Sequence, residues 1–238
     1  MNILAIDTST PLASIAVAVG ELIVAESLLN TNRTLSARLV PEIERLLATA
    51  GLTISDIDLF ASAIGPGSFT GVRGGIATIQ GLALAGAKPC SGFSSLAMLA
   101  MNFSLSKKLI CPMLDARKGE VYAALYDCSS PIPSPCIKDC ALPPTTFLDL
   151  IATVTKESVI FLGDGAHRYH DLIAEQLGDL AVFAPFSLHA PHSCNGVLLA
   201  SHAAQHGVLL EPKQLLPLYL RASDAELMKV KAAGTGNT

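Results

Sequence analysis

Charge is scarce in this chain. Asp, Glu, Lys and Arg make up 15% of its 238 residues, against about 25% in ordinary soluble domains, and the mean hydropathy is +0.48. So few charges cannot cover the outside of a chain this size. Either it spans a membrane or a partner covers part of its apolar surface. The uncharged stretches argue against a span: Ser91, Ser94, Ser95, Asn102 and Ser104 break the run between Lys88 and Lys107, and four histidines with Asn195 break the run from Ala181 to Leu210. Neither is the roughly 20-residue apolar segment a bilayer needs. Asp7 interrupts the first apolar run, which is not the pattern of an export signal. The expectation is a soluble, cytoplasmic chain that is not solitary.

Other absences narrow the classes further. The six cysteines form no Cys-x-x-Cys pair, so neither a zinc ribbon nor a redox motif is present, and they read as reduced thiols. Basic residues are not in excess: the net charge is −4. Autonomous binding to nucleic acid, which rests on Lys and Arg neutralising phosphates, is therefore not expected. No Gly-Lys-Ser/Thr follows the glycine-rich segment, so there is no P-loop, and the spacing misses the dinucleotide fingerprint.

What is present repeats. Asn2 to Asp7 is an apolar run ending in Asp, followed by strand-like Leu12–Val19 and Glu21–Leu28 around a Gly20-Glu21 turn. Thr34 to Ala50 has helical spacing with Pro41 inside it, Asp58–Ile64 reads as a buried strand, and a helix from Phe69 to Ala85 follows. Strand Pro89–Phe93 and a helix after Ser94 close the first half. Leu109 to Asp115 is again an apolar run ending in Asp, then a turn and strand Glu120–Tyr126, as if one module were duplicated. Pro131 to Pro144 reads as a surface connection. Strand Ser158–Leu162, helix Ala166–Leu177, strand Leu180–Phe183, helix Ser193–Gln205 and an extended ending at 217–221 complete the pattern. Hairpins followed by βα units, twice over, predict an α/β protein of two RNase H-like lobes with mixed sheets, as in actin-like ATPases. The first lobe spans 1–105, completed by the helix near 190–207. A smaller, degenerate lobe spans 106–221, and 222–238 reads as a flexible tail.

Several motifs carry alternatives. In Gly65-Pro66-Gly67-Ser68-Phe69-Thr70-Gly71-Val72-Arg73, Gly67, Ser68 and Thr70 could turn donors toward an anion at a helix N-terminus or simply make a tight βα turn. Asp7-Thr8-Ser9 could hold magnesium and phosphate or close an Asx turn. Asp115 and Arg117 occupy the matching loop of the second lobe, where bulky Arg117 and Lys118 could contact an anion or an acidic partner but make a poor phosphate cradle, and Gly163-Asp164-Gly165-Ala166 is where such folds approach adenosine, or equally a plain strand-to-helix turn. His202 and His206 lie one helical turn apart without an evident third metal ligand. His167, His170, His189 and His192 are weaker candidates still. The helix after Phe69 carries Gly71, Gly74, Gly75 and Gly81, each costing about 1 kcal/mol against Ala. Close helix approach, inside the lobe or against another chain, would offset that.

Together, Ile6-Asp7-Thr8-Ser9, the Gly65–Arg73 segment, Gly81-Leu82-Ala83, Leu114-Asp115-Ala116-Arg117-x-Gly119-Glu120-Val121-Tyr122 and Pro217-x-Tyr219-Leu220-Arg221 resemble the TsaB (YeaZ) family of the actin-like superfamily over nearly the whole chain. The resemblance implies a role in forming N6-threonylcarbamoyladenosine at position 37 of tRNAs that read A-starting codons. It implies a non-catalytic subunit that binds the catalytic paralogue TsaD, is joined by the ATPase TsaE, meets tRNA only through the complex, and forms a homodimer when alone. Docking is expected through the helices at 34–50 and 69–85, with Leu35, Leu39, Ile43, Leu46, Val72, Gly75, Ile76 and Ile79 at the interface. No catalytic residue and no metal ligand is expected in this chain. ATP or ADP with magnesium is expected, if anywhere, at a boundary of the complex. The metal-binding His pair of the catalytic paralogue would fall at Ser95 and Leu99, which cannot replace it. That speaks against the metallopeptidase suggested by the older glycoprotease label. A small ATP-hydrolysing enzyme is the other alternative. Two features depart from the family pattern: Leu35 stands where a His is common, and Gly74-Gly75 is doubled.

Overall fold

A computed structural model describes residues 1–30 and 35–221; Thr34 and the tail 222–238, for which a helix start and flexibility were expected, lie outside the described residues. Two five-stranded sheets carry the fold. In the first, β1 (Asn2–Asp7) pairs antiparallel with β2 (Leu12–Val19), Leu4 opposite Val17, and β3 (Leu22–Asn30) extends that edge. On the other side β4 (Leu59–Gly65) and β5 (Cys90–Ser94) join in parallel, giving the order β3-β2-β1-β4-β5. β1 and β4 are covered on both faces, which is why they read as unbroken apolar runs.

The second sheet repeats this plan. β6 (Leu109–Arg117), β7 (Glu120–Asp127) and β8 (Ser134–Leu142) run antiparallel in series, while β9 (Val159–Leu162) and β10 (Ala181–Phe183) add in parallel beyond β6. Strand order and sense match lobe for lobe, so the duplication legible in the two runs ending in Asp7 and Asp115 is real at the level of topology.

Helices α1 (Leu35–Thr49) and α2 (Phe69–Gly86) cover one face of the first sheet. Leu39, Ile43, Leu46 and Leu47 of α1 pack with Val72, Ile76 and Ile79 of α2 over Leu4, Ile6, Ile15 and Val17. The opposite face is covered by α7 (Ser193–Gln205), whose Val197 and Ala200 lie on Ile3, Ala5, Ala16 and Ala18. Gly196 permits this contact: a Cβ there would sit 2.5 Å from the Phe93 ring. Short α3 (Ser95–Ala100) bridges the lobes, and α4 (Pro144–Val154), α5 (Asp164–Arg168) and α6 (His170–Leu177) flank the second sheet.

Two expectations differ from the structure. The segment 131–144 contains β8, an edge strand whose polar alternation and Pro135 disguise it; an edge position tolerates a missing N–H. It is followed by α4, which starts on Pro144 and buries Phe147, Leu148 and Ile151. The single helix expected over 166–177 is broken at Tyr169, where φ is −104° and ψ 22°, into α5 and α6. No helix among the described residues is long and apolar enough to cross a membrane.

Candidate functional site

Between the lobes lies a largely apolar cleft of about 640 Å³. Asp7 and Ser9, at the end of β1, and Ser95 and Leu99 of α3 form one side; Leu114, Asp164, His167 and Phe183 of the second lobe face them. Asp7 is 1% exposed. Its Oδ1 accepts the Ser9 N–H at 2.8 Å, an Asx turn, while Oδ2 has no partner among the described residues. Burial pushes its carboxyl up to about 6. The buried Ser95 hydroxyl also lacks a partner among the described residues. Asp164, raised chiefly by burial, accepts the Asp115 N–H at 3.0 Å.

The expected anion-binding residues do not converge. The Ser68 N–H donates to the Ser9 carbonyl at 2.7 Å, and the Gly71 N–H to Ser68 Oγ at 3.3 Å as the α2 cap. The Thr8 hydroxyl donates to the Gly71 carbonyl at 2.7 Å. A Cβ on Gly67 would lie 2.4 Å from the Ser9 carbonyl oxygen, and one on Gly71 2.1 Å from that of Thr8. The glycines thus let this loop rest directly on the Thr8-Ser9 backbone, and its donors serve the protein itself. Ser68 and Thr70 are exposed outside the cleft. Asp115 accepts Arg168 Nη1 at 2.7 Å and the Arg117 N–H at 2.9 Å. Arg117 sits exposed in the left-handed region, with φ 60°. Among the described residues neither Lys nor Arg lines the cleft, so the phosphates of ATP or ADP would meet Asp7 and Asp164 with no Lys or Arg beside them. These residues do not fit a phosphate cradle within this chain.

The expected docking residues mostly face inward. Leu39, Ile43, Leu46, Val72, Gly75, Ile76 and Ile79 are all buried in the first lobe's own core; Leu35 opens α1, but its side chain lies outside the described residues. Those side chains cover the sheet, so they cannot also cover a partner. The outward faces carry a different set: Ala37, Val40, Pro41, Glu44 and Ala48 on α1, and Arg73, Ala77, Gly81 and Leu84 on α2. Leu84 is 73% exposed, and a Cβ at Gly81 would meet nothing within 4 Å. Two features went unread in the sequence. The Arg73 guanidinium lies 3.9 Å from the Phe69 ring centroid and donates from Nε to Tyr219 Oη, and the Leu218 N–H donates to the Ile64 carbonyl at 2.8 Å. The Pro217–Arg221 motif is therefore a strap across the start of α2, continued by Arg221 Nη1 to Glu120 Oε2 at 3.0 Å in the second lobe.

The histidines are mostly structural. His189 Nδ1 is 3.0 Å from the Gly163 N, and Nε2 is 2.9 Å from the Ala184 carbonyl. His170 stacks on Phe183 with centroids 4.0 Å apart. His206 Nδ1 reaches the His202 carbonyl at 2.8 Å, and among the described residues no third ligand joins that pair.

Two lobes of order 3-2-1-4-5 about a shared cleft define the actin-like ATPase fold. Component A of (R)-2-hydroxyglutaryl-CoA dehydratase from Acidaminococcus fermentans shares it, with a TM-score of 0.50 over 86% of this chain and 99% of that one at 15% identity. Within that fold, the chain belongs to the TsaB (YeaZ) family. It is 31% identical to the tRNA threonylcarbamoyladenosine biosynthesis protein TsaB of Bacillus subtilis over 229 residues, 95% of this chain and 96% of the relative. YeaZ from Pseudomonas aeruginosa superposes with a TM-score of 0.80 at 31% identity, covering 92% of this chain and 99% of that one. The family model described as TsaD, tRNA N6-adenosine threonylcarbamoyltransferase, matches residues 23–229.

Proposed function

We propose that this chain is a non-catalytic subunit in the formation of N6-threonylcarbamoyladenosine on tRNA, and that it docks the TsaD-like catalytic paralogue through the outward faces of α1 and α2. The observation that carries the docking is Gly81. A glycine inside a helix costs about 1 kcal/mol relative to Ala, and here no contact with the described residues calls for it. With Ala77 beside it and Leu84 and Val40 exposed, it leaves a bare surface onto which a related helix pair can close. The same surface supports a homodimer when the chain is alone.

Two observations support a non-catalytic role. Ser95 and Leu99, where the metal ligands of the catalytic paralogue would fall, line the cleft without offering an imidazole, and among the described residues the loops around Asp7 and Asp115 form no phosphate cradle. Nucleotide with magnesium belongs to the TsaD-like or TsaE-like partners or to their boundary with this chain. A net charge of −4 leaves most contact with tRNA to other subunits, in the cytoplasm where tRNA is modified. The test is reconstitution with tRNA and a threonylcarbamoyl donor. Modification should require this chain and the TsaD-like subunit together. Modified tRNA from this chain alone would refute the reading.

A further inference from the structure

We infer that Glu26, His192 and Cys194 form a binding site for a divalent transition-metal ion of the zinc type. One ligand atom from each of the three lies within 4.8 Å of the others. The set supplies one carboxylate oxygen, one imidazole nitrogen and one sulfur, the donors zinc takes; calcium and magnesium prefer oxygen alone. Around a tetrahedral zinc, with bonds of about 2.0–2.3 Å, neighbouring donors stand roughly 3.4–3.7 Å apart. Binding would draw these donors together by about 1 Å from the 4.8 Å limit within which they stand.

The scaffold holds the donors from two directions. Glu26 stands on β3 opposite Ala16. Its Oε1 accepts the Cys194 N–H at 3.0 Å, and its Oε2 is 3.3 Å from His192 Nδ1. Between His192, which precedes α7, and Cys194 in its first turn, the Ser193 N–H donates to Ser14 Oγ at 2.6 Å, fixing the backbone to β2. Asn195, next along, donates to Asn102 Oδ1 at 2.9 Å and to the Met98 carbonyl at 3.2 Å. Capping of the α7 N-terminus by a carboxylate accounts for Glu26 and the Cys194 N–H; it does not call for a thiol sulfur and an imidazole nitrogen within 4.8 Å of that carboxylate. The side chains of Glu26 and His192 are 25% and 29% exposed, which leaves a path for the ion and room for water as a fourth ligand. A bound ion would join β3 to α7 on the sheet face opposite α1 and α2, stiffening the first lobe without touching its docking side.

The test uses the full chain, freed of metal with a chelator and titrated with Zn²⁺ alone, then with Co²⁺ as a spectroscopic probe. One Zn²⁺ per chain should bind and raise the unfolding temperature, and Co²⁺ should give a thiolate charge-transfer band. Cys194→Ser should abolish the band. Glu26→Gln, which keeps an acceptor for the α7 cap and therefore the fold, should weaken binding by more than the roughly 10–100-fold typical of outer-shell changes. His202→Ala with His206→Ala should leave the site intact. Absence of stoichiometric Zn²⁺ in the wild type overturns the proposal. So does binding that survives Cys194→Ser and Glu26→Gln unchanged or disappears with His202 and His206.

Discussion

The Thr8 hydroxyl oxygen stands 2.3 Å from where a Cβ on Gly75 would lie, and that hydroxyl donates to the carbonyl of Gly71 one turn earlier on α2. The end of β1 and the start of α2 are thus locked together through missing side chains. Gly75→Ala should destabilise the fold: the gain of about 1 kcal/mol in helix propensity is outweighed by an overpacking cost of about 1–3 kcal/mol. Gly81→Ala, in open space, should stabilise by up to about 1 kcal/mol. Denaturant unfolding of both variants checks the contrast, and a stabilising Gly75→Ala would contradict it.

Asp7 makes stability depend on pH in a defined direction. Its carboxyl is raised from 3.8 to about 6 by burial, so the fold favours the protonated form. The stability this group contributes is complete below its unfolded value and is lost as pH rises through about 6. Asp7→Asn mimics the protonated form and keeps an acceptor for the Ser9 N–H. Its stability relative to wild type should therefore climb by around 3 kcal/mol from about pH 3 to about pH 7. Paired unfolding curves at several pH values measure this. A pH-independent difference would show that Asp7 titrates normally.

Asp139 links the lobes. From β8 it accepts both the Tyr126 hydroxyl and the Ser94 hydroxyl, and Ser94 Oγ in turn accepts the N–H groups of Leu96 and Ala97 at the start of α3. Asp139→Ala leaves two hydroxyls without their acceptor and should cost about 1–3 kcal/mol. Burial and the neighbouring carboxylate hold the Tyr126 phenol far above its ordinary range. Ultraviolet titration of the variant should therefore show that phenol ionising at lower pH; an unchanged titration would mean Asp139 exerts no field there.

The sequence carried the fold further than it carried the surface. The runs ending in Asp7 and Asp115 exposed the duplicated hairpins because local alternation and turns determine them. The spacing of Leu39, Ile43 and Leu46 correctly marked an apolar face of α1. Periodicity, however, says only that a face must be covered, and this lobe's own sheet covers it. The outward complement at Ala77 and Gly81 becomes meaningful only once the inward face is assigned. The loop from Gly65 to Arg73 looked open to an anion because its packing partners, Thr8 and Ser9, lie about sixty residues earlier. The cleft draws on residues from Asp7 to Pro191, and Glu26 is 166 residues from His192; no local pattern joins them.

The docking face is the claim on which the functional account turns. Glutamates at both Ala77 and Gly81 enter open space, so the variant should fold as the wild type does by circular dichroism and unfolding temperature. Placed in a closed helix–helix contact, unpaired charges cost several kcal/mol, and each 1.4 kcal/mol is a factor of ten in affinity. Size-exclusion chromatography of this variant mixed with the TsaD-like paralogue should show two separate peaks where the wild type gives one complex. Co-elution at wild-type affinity would place the interface elsewhere.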